Sequence, residues 1–249
     1  MNKATFNLLF RLLVAAASLA VSASAQAGLE EGIAAYKNKQ FKRAVDELVP
    51  PAENGDPVAL FYIAMMFEDA QGLPENFPQA MLLYQRAADS GYAPAQNNLG
   101  VMYETKAGAE RNYANAKNWY LKAAAQGNAP AQYNLGLMYY IGRGNDAPRN
   151  FKTAASWYQK AADQGYAPAQ NSLARMYENG LGVFVSQPQA CMWYSLAIEG
   201  GYEDARANLQ ALKEKMYPEA VEEGAALLRE WRARRAAPAS ASVPAAPVP

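Results

Sequence analysis

Histidine is absent from all 249 residues, and cysteine occurs once, at Cys191. The first absence removes the Ser-His-Asp and Cys-His nucleophile systems and every metal motif that needs an imidazole. The second removes any intrachain disulfide, even in an oxidising compartment. Cys191 sits in QACMWYSL, among residues that read as a buried helix face, so it reads as a small packed hydrophobe rather than a reactive thiol. Excess charge is missing too, with 23 basic against 23 acidic residues. Nucleic acid needs clustered Lys and Arg, and the one dense basic run is REWRARR, 229–235, which reads as charge serving a helix C-terminus. No apolar run approaches the roughly 20 residues needed to span a bilayer.

The first 27 residues carry a basic start (MNKATFNLLFR), a ten-residue apolar stretch (LLVAAASLAV) and small residues ending in AQA. That pattern is expected of a cleavable signal peptide, cut after Ala27 or, second best, Ala25. With no cysteine near the cut, lipid anchoring is not expected. The expected mature product is a periplasmic protein without an integral membrane segment, monomeric when free, with two more acidic than basic residues once Lys3 and Arg11 are gone. At the other end AAPASASVPAAPVP, 236–249, has the composition of a disordered, partly polyproline tail.

What the chain has in abundance is repetition. YAPAQNNLGVMYE at 92–104 returns as NAPAQYNLGLMYY at 128–140 and as YAPAQNSLARMYE at 166–178. Gly55, Gly91, Gly127, Gly165 and Gly201 are 36, 36, 38 and 36 residues apart. Ile63, Leu99, Leu135, Leu173 and Leu209 keep the same steps, as do Tyr84, Tyr120, Tyr158 and Tyr194. A fixed period of this length marks a solenoid of stacked supersecondary units. Within one unit Ala95, Leu99, Met102 and Tyr103 fall at i, i+4, i+7 and i+8, as do Ala116, Tyr120, Ala123 and Ala124. Each unit is therefore a pair of amphipathic helices. Gly127 is placed for a left-handed C-terminal cap, and Pro94, Pro130 and Pro168 for a first helical turn. Gly100 and Gly136 lie mid-helix in register, where a missing side chain lets a neighbouring helix approach. The repeated Trp119, Trp157 and Trp193 read as core residues.

The string A-P-A-Q-x-x-L-G-x-M-Y, a Gly-bearing loop, then A-x-x-W-Y-x-K-A-A-x-x-G resembles the Sel-one-like repeat, a relative of the tetratricopeptide repeat. Four units are similar to it: 56–91, 92–127, 128–165 and 166–202. Residues 28–55 resemble a shortened, tetratricopeptide-like unit, and 203–235 a partial repeat ending in a capping helix. The resemblance implies an all-α, right-handed α/α superhelical solenoid of about twelve helices. It also implies protein–protein interaction and a concave surface lined by the first helix of each unit. The cysteine pairs of secreted relatives linked to β-lactam binding are missing, so that property is not carried over.

Repeated residues serve packing, so function belongs where the copies differ. Two before, two after and five after each anchoring Ile or Leu stand Phe61, Met65 and Glu68; Asn97, Val101 and Glu104; Tyr133, Leu137 and Tyr140; and Asn171, Arg175 and Glu178. These twelve are the expected partner-binding positions, with Tyr133, Leu137 and Tyr140 as the central anchor and packing against an adjacent helix as the alternative. The three carboxylates read as a solvated helix face, since no nucleophile, metal set or phosphate loop accompanies them. No catalytic residue, cofactor or metal is expected. The leading expectation is a periplasmic protein that binds another protein, such as an immunity protein neutralising a secreted effector. An envelope assembly scaffold or signalling regulator is the alternative, and a carboxylate-dependent envelope hydrolase the remote one.

Overall fold

Every described residue that belongs to regular secondary structure is helical, as the 3.6-residue periodicity requires. The structure, a computed structural model, describes residues 27–105, 111–143 and 148–236. The predicted leader lies outside these residues except for Ala27, and so does the tail beyond Ala236. The chain divides into two compact units, one up to Gln126 and one from Gly127.

The first unit holds α1 (27–37), α2 (Phe41–Glu53), α3 (Pro57–Glu68), α4 (Phe77–Asp89), α5 (Ala93–Thr105) and α6 (Tyr113–Ala125). From α2 onward each helix packs on the next. Leu48, Leu60, Ile63, Tyr84, Leu99 and Met102 are buried in one apolar cluster that the pairs share. The second unit holds α7 (Ala129–Ile141), α8 (Phe151–Asp163), α9 (Ala167–Asn179), α10 (Gln187–Glu199), α11 (Ala205–Lys213) and α12 (Pro218–Ala236). Its cluster runs from Tyr158 and Leu173 to Tyr194 and Leu212. α12 packs on α10, with Val221, Leu227, Leu228 and Trp231 against that cluster and Gly224 on Cys191. Cys191 is buried, and burial pushes its thiol pKa up, with Lys213 opposing. No helix among the described residues is long and apolar enough to cross a membrane.

Two devices make the pairs alike. At the end of each pair the chain reverses through a left-handed glycine, Gly91 in the first unit and Gly127, Gly165 and Gly201 in the second (φ +82 to +88°). Each inter-helix loop ends on a polar cap: Asn76, Asn112, Asn150 and Ser186 accept from the backbone N–H three residues on. Such caps contribute about 1 kcal/mol each. The cap N–H in turn donates to the carbonyl of Phe67, Tyr103, Tyr139 or Tyr177. The loop before α8 is two residues longer, yet it closes with the same bond, Asn150 to Tyr139 at 2.8 Å.

The mid-helix glycines do what their register implies. A Cβ on Gly100 would lie 2.6 Å from the Tyr120 ring, and one on Gly136 2.5 Å from Tyr158. The tryptophans correct one expectation. Trp193 is core, 3% exposed, but Trp119 and Trp157 are only partly buried. Lys122 and Lys160 cover their rings at 3.7 and 4.1 Å, so their outer faces hold a cation rather than a core.

A candidate partner-binding pocket

The positions expected to face a partner occupy four helices, α3, α5, α7 and α9, and the structure gives them unequal tasks. Glu68, Glu104 and Glu178 are half-buried, and each accepts a hydrogen bond from the packing tyrosine sixteen residues later. Tyr84 donates to Glu68 at 2.7 Å, Tyr120 to Glu104 at 2.9 Å and Tyr194 to Glu178 at 2.7 Å. These carboxylates are not a freely solvated face. They are latches that satisfy hydroxyls on nearly fully buried rings, and bonds to a charged acceptor are the stronger kind. Burial first, then the facing carboxylate, pushes the pKa of Tyr84 and Tyr120 far above the ordinary phenol value.

Asn97 and Asn171 are buried as well. Asn97 donates to Asn98, while Asn171 accepts from Asn208 at 3.3 Å. Phe61 and Tyr133 occupy matching places. Phe61 packs its ring on Tyr84 and Tyr92 at 5.8 and 5.4 Å, and Tyr133 packs on Tyr158 and Tyr166 at 5.6 and 5.5 Å. The ring of Tyr133 is therefore packing, as the alternative reading expects, and its hydroxyl meets the Ser172 side chain. Met65 and Val101 are partly buried, and Met65 packs against the first unit's cluster.

Five of the twelve positions converge in the second unit. Tyr133, Leu137 and Tyr140 of α7, Asn171 and Arg175 of α9, and Tyr158, Ser172 and Tyr202 line a hollow of about 130 Å³. Burial raises the Tyr133 pKa, and the Ser172 side chain opposes this with a hydrogen bond to its hydroxyl. Tyr140 stacks edge-on against Phe151 at 5.3 Å. Arg175 is exposed and close enough to Tyr133, Tyr158 and Tyr194 to favour their ionised forms. Sequence reading missed Tyr158, Ser172 and Tyr202, because they reach the hollow from α8, the α9 face and the turn before α11, outside the single stripe considered.

The REWRARR run is largely engaged within the chain. Arg229 pairs with Glu222 at 3.1 Å, Arg232 with Glu199, and Arg235 donates to the Asp163 carbonyl and covers Trp231 at 4.8 Å. Among the described residues no group of three His, Cys, Asp or Glu side chains is placed to hold a metal.

Four consecutive segments, 57–92, 93–128, 129–166 and 167–202, match the family model of the Sel1 repeat. The chain belongs to the Sel1 repeat family. It is 29% identical to a Sel1 repeat protein of Oxalobacter formigenes, over 84% of this chain and 83% of that one, with a TM-score of 0.68. It is also 29% identical to a protective antigen of uropathogenic Escherichia coli strains displaying an SLR fold, with a TM-score of 0.71. There the match covers 88% of this chain but only 48% of the antigen. An immunity protein of Pseudomonas aeruginosa shares the fold at 22% identity and a TM-score of 0.54, over 90% of this chain and 88% of that one. No curated protein matches the sequence. The fold is thus an α/α solenoid of Sel1 repeats, a protein-binding architecture.

Proposed function

We propose that this Sel1 repeat protein is a non-catalytic binder of another protein, acting in the periplasm as an immunity protein against a secreted, periplasm-directed effector. One observation carries the binding surface. The third Sel1 repeat departs from its siblings at Tyr133, Leu137 and Tyr140, and these residues open a polar, aromatic-walled hollow with Arg175 at its edge. Tyrosine and arginine are the residue types that dominate interface hot spots. The immunity reading is supported by the fold shared with Pseudomonas aeruginosa immunity proteins along most of both chains. The compartment rests on the basic start, short apolar run and AQA of the first 27 residues.

The test is protection. Cells carrying the chain should survive periplasmic delivery of a secreted effector that it binds, and Arg175→Glu with Tyr133→Phe should abolish survival while leaving the helical spectrum unchanged. Because the Tyr133 ring packs on Tyr158 and Tyr166, Tyr133→Phe keeps that packing and removes only the hydroxyl. Survival that does not depend on the chain would contradict the immunity reading. Intact mass of the exported product should start at Gly28; a full-length cytoplasmic product would contradict the compartment.

A further inference from the structure

The two units carry the same site, its packing tyrosines 74 residues apart, and the three residues around the packing tyrosine differ together. In the first unit the Tyr84 hydroxyl donates to Glu68 at 2.7 Å and accepts from Asn98 at 3.1 Å. In the second unit the equivalent tyrosine is Tyr158, and the carboxylate is replaced by Tyr140. The residue matching Asn98 is Ser172, whose side chain is bonded to Tyr133. Tyr158 is 2% exposed, its hydroxyl has no hydrogen-bond partner among the described residues, and it lines the hollow. The hydroxyl is not sealed off from solvent, so water can stand where Glu68 stands for Tyr84, and an acceptor entering the hollow would take that place.

The third change sets the charge of that acceptor. Where the first unit has Val101, the second has Arg175, and the hollow's lining contains no carboxylate. Burial, then the neighbouring phenols of Tyr133 and Tyr140, raise the Tyr158 pKa, with Arg175 opposing, so at neutral pH Tyr158 is a neutral donor. One buried phenol donor, further phenols and a guanidinium around about 130 Å³ make an anion receptor. The hollow is well below the roughly 300 Å³ at which drug-sized ligand pockets begin, a scale that suits one side-chain head group.

We infer that the hollow of the second unit receives a carboxylate from an acidic side chain of the bound protein, which takes the place that Glu68 fills for Tyr84. The partner completes the latch that the third repeat has lost. This rests on the protein-binding reading for the source of the carboxylate, but the receptor chemistry is testable without any partner.

The experiment follows ring signals of ¹³C-tyrosine-labelled full-length chain by NMR, with Tyr158 assigned through Tyr158→Phe. Sodium acetate is titrated against sodium chloride at equal ionic strength, followed by N-acetyl-glutamate amide and its glutamine counterpart. Acetate and the glutamate derivative should shift the Tyr158 signal saturably, and chloride and the glutamine derivative should not. Arg175→Gln, a change at an exposed side chain, should weaken the response at least threefold. Tyr140→Glu, which restores the chain's own carboxylate, should weaken it at least tenfold and start with Tyr158 already shifted. Equal shifts from acetate and chloride would overturn the inference, as would an undiminished response in Arg175→Gln. A response to acetate but none to the glutamate derivative would make the hollow a site for a free small acid and overturn the side-chain assignment. Protection assays with Arg175→Gln read the parent proposal separately. Acetate binding in the wild type with protection unaffected by that substitution would remove the binding-surface reading and leave the receptor standing.

Discussion

The site around Tyr84 in the first unit and the site around Tyr158 in the second share their aromatic scaffolding and differ in who supplies the polar partners. Phe61 and Tyr133 stack on equivalent rings, so packing is held constant. Glu68, Asn98 and Val101 give way to Tyr140, Ser172 and Arg175, so an internally neutralised site becomes an open one with a positive edge. In a solenoid each repeat needs only its neighbours, so residues that serve stacking recur and residues that depart in concert are free to serve something else. The same contrast occurs among buried amides. Gln126 donates to Gln96 at 2.9 Å and Gln164 to Gln132 at 2.7 Å, but Gly200 stands where the next donor would be. The Oε1 of Gln170 is left without a partner there.

Packing positions should fail alike in both units, and this is the largest expected effect. Leu99→Ala and Leu135→Ala, both at fully buried sites, should each cost about 2–5 kcal/mol in urea unfolding. A chain ending before Pro218 should be affected in one unit only. Without α12 the face of α10 that carries Cys191 and Trp193 is bared, so hydrogen exchange should accelerate across α9 and α10 and stay unchanged across α3 and α4. Uniform acceleration would break the division into two units.

The latches should sharpen the comparison at an intermediate level. Tyr84→Phe removes a hydroxyl that donates to a carboxylate and should cost about 1.5–3 kcal/mol. Tyr158→Phe removes one that meets only solvent in the hollow and should cost about zero. Buried phenols should also set the alkaline limit. Tyr84, Tyr120, Tyr158 and Tyr194 have pKa values raised above the ordinary phenol value, burial being the largest cause. The unfolded chain therefore gives up these protons first. Stability is fully present below about pH 10 and falls as pH rises beyond it. Tyrosinate absorbance should appear together with loss of helicity, and titration of all sixteen tyrosines ahead of unfolding would contradict the burial. Smallest of all, Arg175→Gln should change stability by no more than about 0.5 kcal/mol, since the side chain is exposed.

The sequence made the fold legible because stacking residues repeat: the Gly55-to-Gly201 ladder, the Leu and Tyr ladders and the two mid-helix glycines all have the roles their spacing implies. The site was legible in part. Tyr133, Leu137, Tyr140, Asn171 and Arg175 come from the departures between copies, and they do meet in one hollow. The tasks of Glu68, Glu104 and Glu178 were not read, because their tyrosine partners lie on the other helix of the pair, across a loop whose closure helical periodicity does not describe. The signal was present in the constant sixteen-residue step from Glu to Tyr, broken only in the third repeat. Trp119 and Trp157 were misread as full core for a related reason: recurrence marks a shared task, and here that task is a partly buried ring whose outer face a lysine covers.

The central claim is that the third repeat lacks a carboxylate its own tyrosine is built to meet. The most direct measurement is the cost of Tyr158→Phe in urea unfolding, made once in the wild type and once in Tyr140→Glu. The account predicts near zero in the wild type and about 1.5–3 kcal/mol once the carboxylate is restored. The same cost in both backgrounds would contradict it.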